Sequence, residues 1–155
     1  MWNSDKSLKL SIIVCWIAGA VFAACFIGAP WLYRLYYREY SNLPGALESS
    51  VMIPCLICAY LGLAAGLWAI WMLLRMLGNI RDGKVFIQDN VRYLRKISWA
   101  CFGAAAAALA YLIFSGSLGF IFVAAAGAFM GLILRVVKNV MNAAVEIRKE
   151  NDLTI

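Results

Sequence analysis

Four long apolar runs, separated by short polar segments, dominate the pattern of the chain. They cover residues 10–32, 51–74, 97–114 and 118–137, and only the last holds a charge, Arg135 near its end. An α-helix rises about 1.5 Å per residue, so about 17 to 25 residues cross a hydrocarbon core about 30 Å thick. Each run therefore predicts one transmembrane helix. We expect an all-α, polytopic integral membrane protein, with residues 1–155 forming a single four-helix transmembrane bundle domain.

The segments after the third and fourth runs predict how the second half of the chain continues. Residues 115–117 are Ser-Gly-Ser, a short polar turn that indicates an antiparallel hairpin between the last two helices. Beyond the fourth run, apolar residues recur at helical spacing with no Gly or Pro to end the pattern. These residues are Val137, Val140, Met141, Ala144 and Val145. We expect an amphipathic extension of the last helix to about residue 149, within a cytoplasmic tail of residues 138–155.

Positive charges gather on one side of the predicted membrane. Of the 14 Lys and Arg residues, only Arg34 and Arg38 lie between the first and second runs, and the other twelve lie at the N-terminus, between the second and third runs, or at the end of the fourth run and beyond. Cationic loops are retained in the cytoplasm, so this distribution predicts that both termini are cytoplasmic. The same cations are expected to contact anionic lipids at the inner face.

Composition excludes a soluble domain and gives little support to catalysis. The chain is 65% hydrophobic and 14% charged, and it has no histidine, whereas soluble domains are about 45–50% apolar and about 25% charged. The interiors of the runs hold no ionisable Asp, Glu, Lys or Arg, which removes the usual sign of ion-driven transport. No Gly-rich phosphate loop and no metal-ligand spacing is present. We expect a non-enzymatic protein with no catalytic residues, no metal, no cofactor and no direct contact with nucleic acid.

The five cysteines all lie inside the apolar runs. Cys55 and Cys58 form a Cys-x-x-Cys pair, which some redox enzymes use on a four-helix membrane bundle. Those enzymes carry further cysteines in an external loop, and residues 34–50 have none. We therefore interpret the pair as small apolar core residues. Cys25 ends a stretch that loosely resembles a lipoprotein cleavage box, but the apolar run continues beyond it, which favours a membrane span.

Two pairs of glycines four residues apart predict close helix contacts. They are Gly62 with Gly66 in the second run and Gly127 with Gly131 in the fourth. Such steps let two helix backbones approach each other in lipid. They are compatible with packing inside one chain, which we favour, and with the seam of a homo-oligomer.

The polar segment between the second and third runs carries a recognisable pattern. Asp89 or Asn90 is expected to cap the third helix. The stretch is Ile80-x-x-Gly83-x-x-Phe86-x-x-x-Asn90-x-x-x-Leu94-Arg95-x-Ile97, and the chain ends in Glu-Asn-Asp-Leu-Thr-Ile. Together they resemble a bacterial family of small four-span membrane proteins, a domain family of unknown function that includes the YoaS-like proteins.

This resemblance implies a multi-pass protein of the bacterial cytoplasmic membrane that acts with a cytoplasmic partner. Genes of the family often lie beside one for a small helix-turn-helix transcription regulator, which suggests that regulator as the partner. The expected partner-binding residues, in the inner loop and the tail, are Gly83, Phe86, Asn90, Arg95, Glu150 and Asp152. The alternative is a small transport or immunity protein that handles an external peptide or a lipophilic compound near the tyrosines of residues 33–40.

Overall fold

The computed structural model describes residues 4–40 and 49–153, and over these residues it contains four α-helices and no strand. The helices are α1 (Ser4–Tyr40), α2 (Ser49–Arg81), α3 (Gln88–Ser115) and α4 (Phe120–Leu153). All four are long and apolar enough to cross a membrane. The all-α fold with four spans is therefore confirmed. The segment 41–48, which the sequence places between the first two spans, lies outside the described residues.

Every helix is longer than the apolar run that predicted it. α1 has 37 residues and α4 has 34, which correspond to about 55 Å and 51 Å of helix against a hydrocarbon core of about 30 Å. α3 begins at Gln88, nine residues before the apolar run. α4 passes through Arg135 and continues without interruption to Leu153. These helices are therefore longer than is needed to cross such a core.

The helices pack in chain order. α1 packs against α2, α2 against α3, and α3 against α4, while within residues 4–40 and 49–153 α1 makes no such contact with α4. The glycines of the first pair, Gly62 and Gly66, lie at two of these interfaces. A Cβ on Gly66 would collide with the ring of Phe22 in α1, and one on Gly62 would touch Ala107 of α3 at 3.9 Å.

The second glycine step brings α4 onto α3. A Cβ on Gly127 would lie 3.3 Å from the carbonyl oxygen of Cys101, and one on Gly131 would lie 3.0 Å from the Phe102 ring. The close approach also allows the buried Ser98 hydroxyl to donate a hydrogen bond of 2.8 Å to the Gly131 carbonyl. Both glycine steps are therefore used for packing within one chain.

Interhelical hydrogen bonds show which residues lie at the same depth. Asn79 on α2 bonds to Asn90 on α3, and Ser98 on α3 bonds to Gly131 on α4. Arg75 is four residues from Asn79, Arg95 is three residues from Ser98 and five from Asn90, and Arg135 is four residues from Gly131. Because antiparallel helices rise by the same distance per residue, these three arginines lie at about the same depth. These arginines, which we call the arginine level, are Arg75, Arg95 and Arg135.

The arginine level has side chains that are typical of a membrane surface. The Arg75 guanidinium lies 5.2 Å from the centre of the Trp71 ring, and that of Arg135 lies 5.2 Å from the Trp99 ring. Tryptophan and arginine are characteristic of the membrane–water interface. Ser115 follows Arg95 by 20 residues in α3, or about 30 Å, which matches the hydrocarbon core. The Ser115 turn therefore lies about one hydrocarbon thickness from the arginine level.

Candidate functional site

The loop between α2 and α3 begins at a glycine that the backbone requires. Gly83 has φ of 75°, in the left-handed region where a side chain is unfavourable. Its N–H donates to the Ile80 carbonyl at 3.1 Å, and the N–H of Lys84 donates to the Asn79 carbonyl at 2.9 Å. These two bonds form a Schellman motif, which satisfies carbonyls at the end of α2.

Asn90 holds the rest of this loop in place. Its side-chain N–H₂ donates to the carbonyls of Lys84 at 2.9 Å and Val85 at 2.8 Å, and its side-chain oxygen accepts a bond of 2.8 Å from Asn79. The residue is 0% exposed. Because the side chain is enclosed, any effect of Asn90 on a partner acts through the shape of the loop.

The prediction that Asp89 or Asn90 caps α3 is wrong. Ile87 occupies the N-cap position in an extended conformation, and no side chain caps it. The Asn90 amide is engaged with the loop carbonyls instead. Asp89 lies inside the first turn of α3, exposed, at 3.4 Å from Arg92. Its carboxylate still lies near the helix N-terminus, where negative charge is favourable.

A pocket forms where the loop meets the far end of α4. Its volume is about 350 Å³. Phe86 is 45% exposed on the loop, whereas Val145 of α4 is buried, so the two give the pocket apolar surface. Three basic residues contribute positive charge. We call this site the loop pocket, and it is lined by Gly83, Lys84, Phe86, Ile87, Gln88, Val145, Arg148 and Lys149.

The loop pocket lies well beyond the arginine level, on the side away from the Ser115 turn. Val145 and Lys149 follow Arg135 by 10 and 14 residues in one helix, which places them about 15 to 21 Å beyond the arginine level. Each headgroup layer is only about 5 to 8 Å thick, the difference between a whole bilayer and its hydrocarbon core. A membrane surface at the arginine level would therefore leave the pocket in the aqueous phase, beyond the lipid headgroups.

The structure brings together some of the expected partner-binding residues and separates others. Gly83 and Phe86 line the loop pocket, with Asn90 directly behind the loop. Glu150 is exposed on α4, next in sequence to a lining residue, while Arg95 is exposed at the arginine level and is not part of the lining. The side chain of Asp152 lies outside the described residues.

The sequence predicted that the tail contributes to this site through Glu150 and Asp152, but not that other residues of α4 line it. Val145, Arg148 and Lys149 line the pocket with the loop, although about 60 residues separate the two segments. The available signal was the apolar periodicity of the extension, which includes Val145. It could not show that Val145 is covered by the α2–α3 loop.

A second cavity lies inside the membrane-spanning part. It has a volume of about 640 Å³, and residues of all four helices line it, among them Phe22, Gly62, Ala108 and Val123. We call it the lateral groove, because it lies between α1 and α4, which do not pack on each other within the described residues. Its lining contains no Asp, Glu, Lys or Arg, so it suits an apolar molecule.

The Cys-x-x-Cys pair lies beside this groove, near the Ser115 turn. Cys55 and Cys58 are buried in one cluster with Tyr33 and Tyr111. Both thiols are free. Among the described residues, no group of three His, Cys, Asp or Glu side chains could hold a metal ion. The cluster is a packed junction of α1, α2 and α3.

A comparison with known families assigns the chain. Residues 11–155, which include the loop pocket, match the model of the family described as Protein of unknown function (DUF2975). The chain belongs to this family. The resemblance to a four-span membrane family of unknown function is therefore confirmed. No curated protein and no solved structure matches the chain.

Proposed function

We propose that this is a non-enzymatic, multi-pass protein of the bacterial cytoplasmic membrane that binds a cytoplasmic protein at the loop pocket. The proposed partner is a small helix-turn-helix transcription regulator. The observation that carries the proposal is Phe86, an exposed aromatic side chain that lines the loop pocket beside basic residues. Both termini and the loop pocket lie on the cytoplasmic side in this proposal, as the charge distribution predicts.

The rigidity of the loop supports a role in recognition. The Schellman motif at Gly83 and the side-chain bonds of Asn90 hold the backbone before Phe86, and α3 begins two residues after it. A residue that is held in place before binding loses little conformational entropy on binding. Aromatic residues are also enriched among those that contribute most to protein interfaces. Phe86 is thus a suitable anchor for a partner.

The test is co-purification of the regulator from membranes that carry variants of the protein. Phe86→Ala is expected to reduce association at least tenfold, and deletion of residues 146–155 is expected to abolish it. Phe114→Ala is the matched control, since Phe114 is similarly exposed, at 49%, but lies at the other end of α3. Equal association of the two alanine variants would refute the loop pocket as the binding site.

The orientation in the membrane has its own test. Reporter fusions are expected to place residues 5, 85 and 150 in the cytoplasm and residue 42 outside. A cysteine introduced at position 85 should resist an impermeant thiol reagent in intact cells and react after the cells are opened. Labelling of that cysteine in intact cells would show the opposite topology and would exclude a cytoplasmic partner at the loop pocket.

The lateral groove favours a second candidate function, a small transport or immunity protein that handles a lipophilic compound. A bulky side chain in the groove should then change sensitivity to such compounds. Ala108→Trp fills the groove, whereas Ile113→Trp adds the same side chain at an exposed position of α3 outside its lining. Altered sensitivity with Ala108→Trp alone, and none with Phe86→Ala, would favour this candidate over partner binding.

A further inference from the structure

The part of α4 beyond the arginine level exposes an apolar face to water. Val136, Val140 and Ile147 are 63%, 66% and 66% exposed. They follow Arg135 in a helix that leaves the membrane, so lipid cannot cover the whole of this face. At about 100° per residue, they lie opposite Val145, the side of α4 that is buried against the loop.

The basic residues of this segment do not lie on the exposed apolar face. Lys138, Arg148 and Lys149 are all within about 60° of Val145 around the helix axis, on the side that carries the loop pocket. A helix that is simply solvated carries its charges on the side away from its own chain. The segment beyond Arg135 shows the reverse, which indicates that its outward face is covered in the assembled protein.

The apolar face continues back into the membrane with a regular spacing. Its residues follow one another at alternating steps of four and three, with a mean period of 3.5 residues, as in coiled coils. All eight are classed as exposed in the single chain. We call this face the α4 stripe, and it consists of Phe122, Ala126, Phe129, Ile133, Val136, Val140, Ala143 and Ile147.

We propose that the α4 stripe is the interface with a second copy of this chain in a parallel dimer. A partner for the whole stripe has to cross the membrane and continue into water as a helix. A second copy inserted in the same orientation meets both requirements and presents the same 3.5-residue repeat. The positions Ile133, Val140 and Ile147 are β-branched at every seventh residue, as the a positions of two-stranded coiled coils often are.

Charge and size are both compatible with self-association. The eight stripe positions carry no charge, and the next position of the repeat is Glu150, so two copies meet without like-charge contacts until that residue. From Phe122 to Ile147 the stripe spans 26 residues, or about 39 Å. Its two phenylalanines alone can bury about 150–250 Å² each. Eight positions offer several hundred Å² per copy, the scale of stable interfaces at about 800 Å² per partner.

The proposed dimer uses a different surface from the loop pocket. The stripe lies on the opposite side of α4 from Val145, so each copy keeps its pocket open to a cytoplasmic protein. The dimer also leaves the glycines of α4 in contact with α3 of their own chain. The inference therefore holds whether or not the proposed partner binding is correct.

Cysteine cross-linking in native membranes tests the dimer. Single cysteines at Val140 and Ile147 are expected to give an oxidised dimer, because facing positions of a parallel pair fall within disulfide range. Lys138→Cys and Lys149→Cys, on the opposite side, should give at least fivefold less product. The unmodified protein supplies the background from its own cysteines, which lie within the spans. Equal amounts of cross-linked dimer at all four positions, or no cross-linked dimer at any of them, would overturn the proposal.

Molar mass provides an independent measurement. Light scattering of the purified protein in nanodiscs should show two chains for the wild type and for Lys138→Glu. Val140→Glu combined with Ile147→Glu should reduce this to one chain, because carboxylates would face each other in the interface. A single chain in the wild type, or two chains in the double variant with helicity preserved, would contradict the assignment.

Discussion

Replacing Asn90 is the sharpest test of how the loop is built. Asn90→Ala removes three hydrogen bonds, two to loop carbonyls and one from Asn79. A typical bond contributes about 1 kcal/mol net, and a buried group left without a partner costs about 1–3 kcal/mol. The carbonyls of Lys84 and Val85 lie in a loop that water can reach once it opens. We therefore expect Asn90→Ala to lower the free energy of opening the loop by about 2–4 kcal/mol.

Two further variants show whether these hydrogen bonds account for the expected loss of stability. Asn90→Asp preserves the shape and the acceptor for Asn79 but places a carboxylate, which cannot donate, against two carbonyls. Its loss should equal or exceed that of Asn90→Ala. Gln88→Ala removes only an exposed bond of 3.3 Å to Asn142, so it should cost less than about 0.5 kcal/mol, below a typical single bond.

Hydrogen exchange of the backbone amides provides the measurement. The N–H groups of Gly83 and Lys84 are bonded to the end of α2 in the native loop. A loss of about 2 to 4 kcal/mol corresponds to exchange faster by roughly 30-fold to several hundredfold. The middle of α3 should keep its wild-type protection. Unchanged exchange of residues 82–87 in both Asn90 variants would refute the structural role given to this side chain.

Four further variants have expected outcomes in denaturant titrations. Gly66→Ala should cost about 1–3 kcal/mol because its Cβ meets the Phe22 ring, whereas Gly62→Ala, with an ordinary contact of 3.9 Å, should be nearly neutral. Gly83→Ala should cost about 1–2 kcal/mol, the penalty for a side chain in the left-handed region. Changing Cys55 and Cys58 together to Ala should cost under about 1.5 kcal/mol and leave partner binding intact. Loss of an in-cell phenotype at normal abundance would instead support a redox role for the pair.

The spans were predictable because lipid imposes a simple rule on sequence. In an α-helical membrane protein, every backbone N–H and C=O group in the hydrocarbon core has to be hydrogen-bonded within its own helix. A long apolar run therefore crosses the membrane as a helix. The glycine steps were equally informative, since a residue without a side chain marks close packing wherever its partner lies. Gly66 signalled a contact in the sequence, but the identity of Phe22 as its partner required the structure.

The loop was less predictable because its polar residues had competing uses. The Asn90 amide was suited both to capping α3 and to bonding loop carbonyls, and the choice depends on where Gly83 turns the chain. In α4, the spacing grouped Val140 and Val145 on one apolar face. The structure exposes Val140 and buries Val145. Periodicity identifies apolar positions, but the packed neighbours determine which of them form the core.

The packing of each helix only on its neighbours in sequence also bears on how the protein is assembled. Within the described residues, close backbone packing joins only helices that are consecutive in the chain. A helix leaving the insertion machinery therefore finds its docking surface already in the bilayer, on the helix synthesised just before it. Because close packing does not require a segment that is synthesised much later, the spans acquire their main contacts in the order of translation. No late step has to join the first helix to the last.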